Sequence, residues 1–275
     1  MNPNLNANSK LIEEKISESS ENARVKAIKG FFEEVTNLTR FTMRFFKEVV
    51  KPPYEFNELI KQSYLIGYKS LPLIAITGFI MGLVLTIQSR PTLAQFGAES
   101  WLPAMVAVSI IREIGPVITA LIFAGKVGSG IGAELASMKV TEQIDAMEVS
   151  GINPFKYLVV TRVMAATLML PLLVIISDVI SLCGAYVGVN LKGDVSFDLF
   201  FVKVFEKLVF TDVFPAVIKT FFFGFVVALL GCYKGYNASK GTEGVAQSAN
   251  ASVVYASLMI FILDMIAVQV TSLFI

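Results

Sequence analysis

Apolar runs long enough to cross a bilayer recur along this chain and constrain its fold most. They cover about Leu71–Ser89, Trp101–Gly125, Tyr157–Asn190, Val213–Tyr233 and Asn250–Ile275. Crossing the hydrocarbon takes about 20 apolar residues as a helix. Lipid offers backbone groups no partner, so a span must satisfy its own hydrogen bonds, as a helix does. An all-α polytopic membrane protein with five transmembrane helices follows. Charged residues make up 16% of the chain, against about 25% in a soluble domain. A net charge of +1 gives no electrostatic footprint for nucleic acid.

Histidine is absent, which removes the usual general base and zinc ligand. Cys183 and Cys232 lie in or beside apolar runs and read as packing residues. Neither a cofactor nor a metal is expected.

Residues 1–30 are polar and read as a tail that is mostly disordered or loosely helical. Residues 31–62 form a second region, "FFEEVTNLTRFTMRFFKEVVK" and its continuation. Phe31, Val35, Leu38, Phe45 and Val49 recur at helical spacing among Arg40, Arg44, Lys47 and Lys51. A basic, Phe-rich amphipathic helix suits the membrane interface, and Pro52 and Pro53 end it. The third span would run about 50 Å at 1.5 Å per residue, so it must tilt, kink at Pro171 or project. Lysine and arginine near the span ends favour a cytoplasmic N-terminus and a periplasmic C-terminus. Against that bias, the second outer loop carries Lys192, Lys203 and Lys207.

One polar interlude, "GSGIGAELASMKVTEQIDAMEVSGINPF", separates spans two and three. Within it, Ala133, Ala136, Val140, Ile144 and Met147 share one face of a helix over about 133–149. Glu134, Thr141, Glu142, Asp145 and Glu148 fall on or near the other face, and Gly151 and Pro154 supply a stop. Gly125, Gly128, Gly130 and Gly132 read as a tight bend out of span two. "GSGIGA" follows a membrane span and lacks the final glycine of a dinucleotide loop, so a nucleotide site is excluded.

Ionisable residues inside apolar spans form the other candidate site. Arg112 and Glu113 lie midway along span two, Lys219 in span four, Asp264 in span five and Asp178 in span three. A charge at the bilayer centre costs roughly 2.5–3.5 kcal/mol on insertion scales, so such groups pair or face a wet cavity. They would form a register-fixing ion-pair network, a polar wall or gate, or both. An ion-coupled secondary transporter with the acids as carriers is the alternative function, and no inverted repeat supports it. An aspartyl dyad of Asp178 and Asp264 lacks the Gly-x-Gly-Asp context of intramembrane hydrolases.

"REIGPVITALIFAGKVGSGIGAELASMKVTEQIDAMEVSGINPFKYLVVTRVMA", Arg112 to Ala165, resembles the signature region of the MlaE family, permease subunits of ABC lipid transporters that work with MCE-domain proteins. The resemblance continues more weakly from about Thr36 to the C-terminus. It implies an interfacial helix, five spans making a permease domain over 63–275, and a cytoplasmic coupling helix between spans two and three. It further implies a bacterial inner-membrane location and a second copy of the chain. Two copies of a separate ATPase, an MCE-domain partner and phospholipid or a related lipid as cargo complete the expectation, so the chain would be no enzyme itself. Glu142, Gln143 and Asp145 would then be docking contacts for the ATPase. Spans one and five would lie near a twofold axis. Leu83, Leu85 and Ile87 of span one would line an apolar lipid pocket, rimmed by Arg112, Glu113, Lys219 and Asp264.

Overall fold

The computed structural model describes residues 29–30, 32–191, 193 and 195–273, and these contain helices and no strand. The polar tail therefore lies almost wholly outside the described residues. The chain divides into a unit ending at Val50 and a unit from Lys51 onward. The first unit contributes one helix, α1, over residues 32–50. On it Thr36, Thr39 and Thr42 each donate to the carbonyl four residues back.

The second unit holds the five long apolar helices: α2 (Phe56–Gln95), α3 (Glu99–Val140), α5 (Phe155–Asn190), α7 (Phe210–Tyr236) and α8 (Thr242–Ser272). Two shorter helices join them. α4 (Gln143–Val149) sits between spans two and three, and α6 (Phe197–Lys207) between spans three and four. The span-one helix begins at Phe56, well before the expected Leu71 and inside the stretch assigned to the interfacial region. Pro72 and Pro91 lie within it. Each proline removes the donor for the carbonyl four residues back, Tyr68 and Ile87. Lys126 Nζ donates to the Lys69 carbonyl, and Arg90 joins α2 to the Val189 carbonyl.

Span two differs most from expectation. The chain does not leave the helix after Gly125; helix continues to Val140. Gly231 and Gly235 of α7 instead let that helix approach the backbone of α3 at Gly128 and Gly132, while Gly132 itself makes room for Ser252 of α8. A Cβ placed on Gly231 would stand 2.9 Å from the Gly128 carbonyl oxygen, and one on Gly235 2.7 Å from that of Gly132. α3 and α7 thus meet backbone to backbone, as small residues permit in lipid. Gly125 and Gly130 face open space. A second seam joins α2 to α5, where Gly82 lies against the Ser181 carbonyl and Gly184 against that of Phe79.

The rod widens locally into π-helix at Ile110–Ile114 and Ala124–Gly128. The first has a chemical cause. Pro116 cannot donate to the carbonyl of Arg112, and the Gly115 N–H reaches back five residues to Ile110.

The amphipathic helix expected over 133–149 is two pieces. α3 ends at Val140, and Glu142 adopts a left-handed backbone (φ 58°) before α4 starts. Ile144 is buried and anchors α4. The expected stop holds: Gly151 has φ 78°, and the Ile152 N–H returns to the Met147 carbonyl.

Candidate functional site

The intramembrane charges converge on span four. Lys219 Nζ donates to Glu113 Oε2 at 2.6 Å and to Asp264 Oδ1 at 2.9 Å, with only 6% of its side chain exposed. One ammonium therefore ties spans two, four and five. A second pair lies two turns earlier on α7. Arg112 donates Nε, at 3.0 Å, and Nη2 to Asp212 Oδ1. Asp212 Oδ2 also accepts the Val209 N–H at 3.2 Å and so caps α7. Seven residues separate Asp212 from Lys219, which keeps both on the α7 face turned toward α3. The widened π-turn carries the neighbours Arg112 and Glu113 to those two partners.

Sequence reasoning missed Asp212 because it lies just outside the apolar run that begins at Val213. The available signal is the i, i+7 spacing in "DVFPAVIK". Asp178 is not brought into the pairs. Its Oδ1 is buried without a hydrogen-bond partner, over Gly115, where any Cβ would collide with it. Beside it, Thr119 Oγ1 donates to Ser177 Oγ at 3.1 Å.

Two cavities meet at Lys219. A polar niche of about 240 Å³ is lined by Arg112, Glu113, Asp212, Lys219 and Thr271 among others. An apolar groove of about 770 Å³ runs between α7 and α8, lined by Phe214, Ile218, Phe222, Leu263 and Ile266 among others. Thr211, Pro215, Lys219, Ala267 and Thr271 border both. Leu83, Leu85 and Ile87 line neither cavity. At 100° per residue Leu85 points away from the other two. It packs on a core that includes Leu102, Val106 and Ala185, whereas Ile87 is exposed.

Between spans two and three, Glu142 and Gln143 are exposed. Asp145 is exposed too, but it accepts from Lys139 at 3.0 Å, bracing α4 against α3 across the left-handed break. Val149 is 91% exposed at the end of α4. An unforeseen pair lies at the base of this segment. Arg162, 3% exposed, donates to Glu134 Oε1 at 2.8 Å and to the Leu158 carbonyl at 2.9 Å. Nearby, Tyr157 and Gln62 both donate to Glu58, joining α5 to α2.

Five membrane-length helices, a lysine bridging three of them and a cleft with one polar and one greasy wall define a multi-pass membrane protein of the transport kind. The family model for the permease MlaE matches residues 59–270, and the chain belongs to the MlaE permease family. It is 38% identical over 232 residues to a probable ABC transporter permease protein of Rickettsia prowazekii, covering 84% of this chain and 90% of that one. It is 36% identical over 212 residues to the intermembrane phospholipid transport system permease protein MlaE of Haemophilus influenzae, covering 77% and 81%. A probable ABC transporter permease protein of Synechocystis is 32% identical over 232 residues, covering 84% and 88%.

Proposed function

We propose that the chain is the membrane-spanning subunit of an ABC transporter that moves phospholipid or a related lipid. The observation that carries this reading is the two-sided cleft at Lys219. A diacyl lipid has a charged head and long methylene tails. The niche offers Arg112 and Lys219 beside two carboxylates, Glu113 and Asp212, and the groove offers phenylalanine and branched aliphatic walls. Burying methylenes is favourable by about 0.8 kcal/mol each, so tails can hold a lipid without a tight headgroup site. The Haemophilus relative, named for phospholipid transport, supports the same cargo.

The working unit we propose has two copies of this chain, two separate ATPase subunits and an MCE-domain partner, in a bacterial inner membrane. A C₂ pair of permeases is the simplest match to paired ATPases. The N-terminus is cytoplasmic, the C-terminus periplasmic, and α1 lies in the interface. The segment Glu142–Val149 then faces the ATPase, with Glu142, Gln143 and Asp145 as polar docking contacts. The ion-carrier alternative is less favoured, because Glu113 and Asp264 are already engaged by Lys219.

Photocrosslinking amino acids at Phe214 and Ile266, and at Leu83 and Ile87 for comparison, test the cargo site in cells. Lipid adducts are expected at the groove positions. An active transporter that yields none there, but yields them at Leu83 or Ile87, would move the lipid site to span one.

A further inference from the structure

We propose that α6 is a lipid-seated helix, lying flat in the outer boundary of the bilayer with its phenylalanine stripe in the acyl region. This reading does not depend on which cargo the transporter carries.

The sequence of α6 is "FDLFFVKVFEK". Ser196 caps it, its Oγ accepting the Leu199 N–H. Only a narrow strip faces the bundle. Phe200 and Val204 are fully buried, in a core with Leu102, Val106 and Val189. A second strip, Phe197, Phe201 and Phe205, follows at i, i+4 and i+8; Phe201 packs partly on that core, and Phe197 and Phe205 are exposed. Their rings pack in file, with centroids 4.5 Å and then 6.2 Å apart. Phe197 is 57% exposed and Phe205 67%, and neighbouring Val202 is 61% exposed. The one polar residue on this side is Asp198, in the first turn where a carboxylate suits the helix start; the rest of so apolar a face suits an apolar medium.

Position identifies that medium. α6 begins shortly after α5 ends at Asn190 and stops three residues before α7 starts at Phe210. Its Lys203 donates to the Ser100 carbonyl, and Lys207 Nζ lies 5.0 Å from the centre of the Trp101 ring, both at the first turn of span two. Tyr186, in the last turns of span three, meets Phe197 and Phe200 edge-on. The helix thus sits level with three span ends, where tryptophan and lysine mark the headgroup layer. The exposed apolar surface then continues into span four. Phe210 and Phe214 stack at 5.4 Å, 74% and 53% exposed. One greasy face therefore runs from α6 onto the exposed first turns of a membrane-length helix. Glu206, Lys203 and Lys207 lie on the rest of the circumference, suited to water and phosphate.

The chain's single tryptophan makes the test direct. In a Trp101→Phe background, Phe205→Trp and Glu206→Trp are each placed in the assembled transporter, in bilayers containing lipid brominated on the upper acyl carbons. Phe205→Trp should lose most of its emission to the brominated lipid and little to aqueous iodide. Glu206→Trp should show the reverse. Iodide quenching of Phe205→Trp without lipid quenching would overturn the proposal. So would lipid quenching in the isolated chain that disappears on assembly, since a protein partner would then own the stripe. Phe197→Trp provides a second apolar position if Phe205→Trp fails to fold.

Discussion

Lys219 Nζ lies 2.6 Å from Glu113 Oε2, bridging spans whose paired residues stand 106 positions apart in sequence. The lysine is 6% exposed and has a second carboxylate, Asp264, at 2.9 Å. Removing it strands two acids at once. Lys219→Met should cost roughly 3–5 kcal/mol, the range for breaking a buried pair. Glu113→Gln should cost much less, because Asp264 still neutralises the lysine. Thermal unfolding in nanodiscs compares them, and equal losses would show that the bridge is not shared.

Asp212 has two tasks, pairing with Arg112 and capping α7. Asp212→Asn keeps an acceptor for the Val209 N–H and loses the ion pair. Asp212→Ala loses both, and an uncapped helix start costs about 0.5–2 kcal/mol more. A melting temperature for the alanine variant no lower than that of the asparagine variant would refute the cap.

The glycines of span two should fall into two classes. Gly125→Ala and Gly130→Ala meet open space inside a helix and should be neutral, or stabilising by about 0.4–1 kcal/mol. Gly132 has no such freedom, since a Cβ there would collide with Ser252 Oγ of α8, and one on Gly128 would press on Val227 of α7 at 3.2 Å. The α2–α5 seam gives the sharper comparison: Gly82→Leu and Gly184→Leu drive a side chain into a facing backbone carbonyl and should cost about 1–3 kcal/mol or more. Thermal unfolding ranks the four variants. If instead Gly125→Ala and Gly130→Ala destabilised the fold, a bend at those positions would be needed after all.

Much of this was legible in the sequence, and the failures have physical causes. The spans were visible because lipid demands about 20 apolar residues wherever a chain crosses. Lys219 and Asp264 stood out as costly charges in apolar runs. Spacing shows small residues but not what they face, so the seam of Gly128 and Gly132 read as a bend. The break at Glu142 left no trace, since glutamate is not a residue that announces a left-handed backbone. α6 was findable, with Ser196 as cap and phenylalanine at helical spacing, but it hid in a stretch treated as loop. The groove between α7 and α8 needed tertiary structure.

Glu142 is exposed beside a left-handed turn. Glu142→Lys should weaken ATPase association or uncouple hydrolysis from transport, while the bundle stays folded. Breaking one desolvated charge pair at an interface costs about 2–5 kcal/mol. Glu142→Gly, which relieves a backbone penalty of roughly 1–2 kcal/mol, should instead raise stability. Pull-down and hydrolysis assays check the first, and melting checks the second. Full coupling in Glu142→Lys would remove the residue from docking.

A reporter fused after Ile275 should be active only in the periplasm, and one inserted near Ser239 only in the cytoplasm. The opposite pattern would invert the orientation.

The 42-residue span-two rod runs without interruption from Glu99 to Val140. At 1.5 Å per residue it is about 60 Å long, twice the roughly 30 Å hydrocarbon layer. If Trp101, near one end, lies at a membrane face, the surplus length overhangs on the opposite side, toward α4. Seen as a machine part, it is a lever whose fulcrum is the glycine seam with α7. A small sideways push at Val140 becomes a tilt of the rod, and the tilt displaces Arg112 and Glu113 beyond the fulcrum. One continuous helix therefore joins the α4 end of the bundle to the charges inside it.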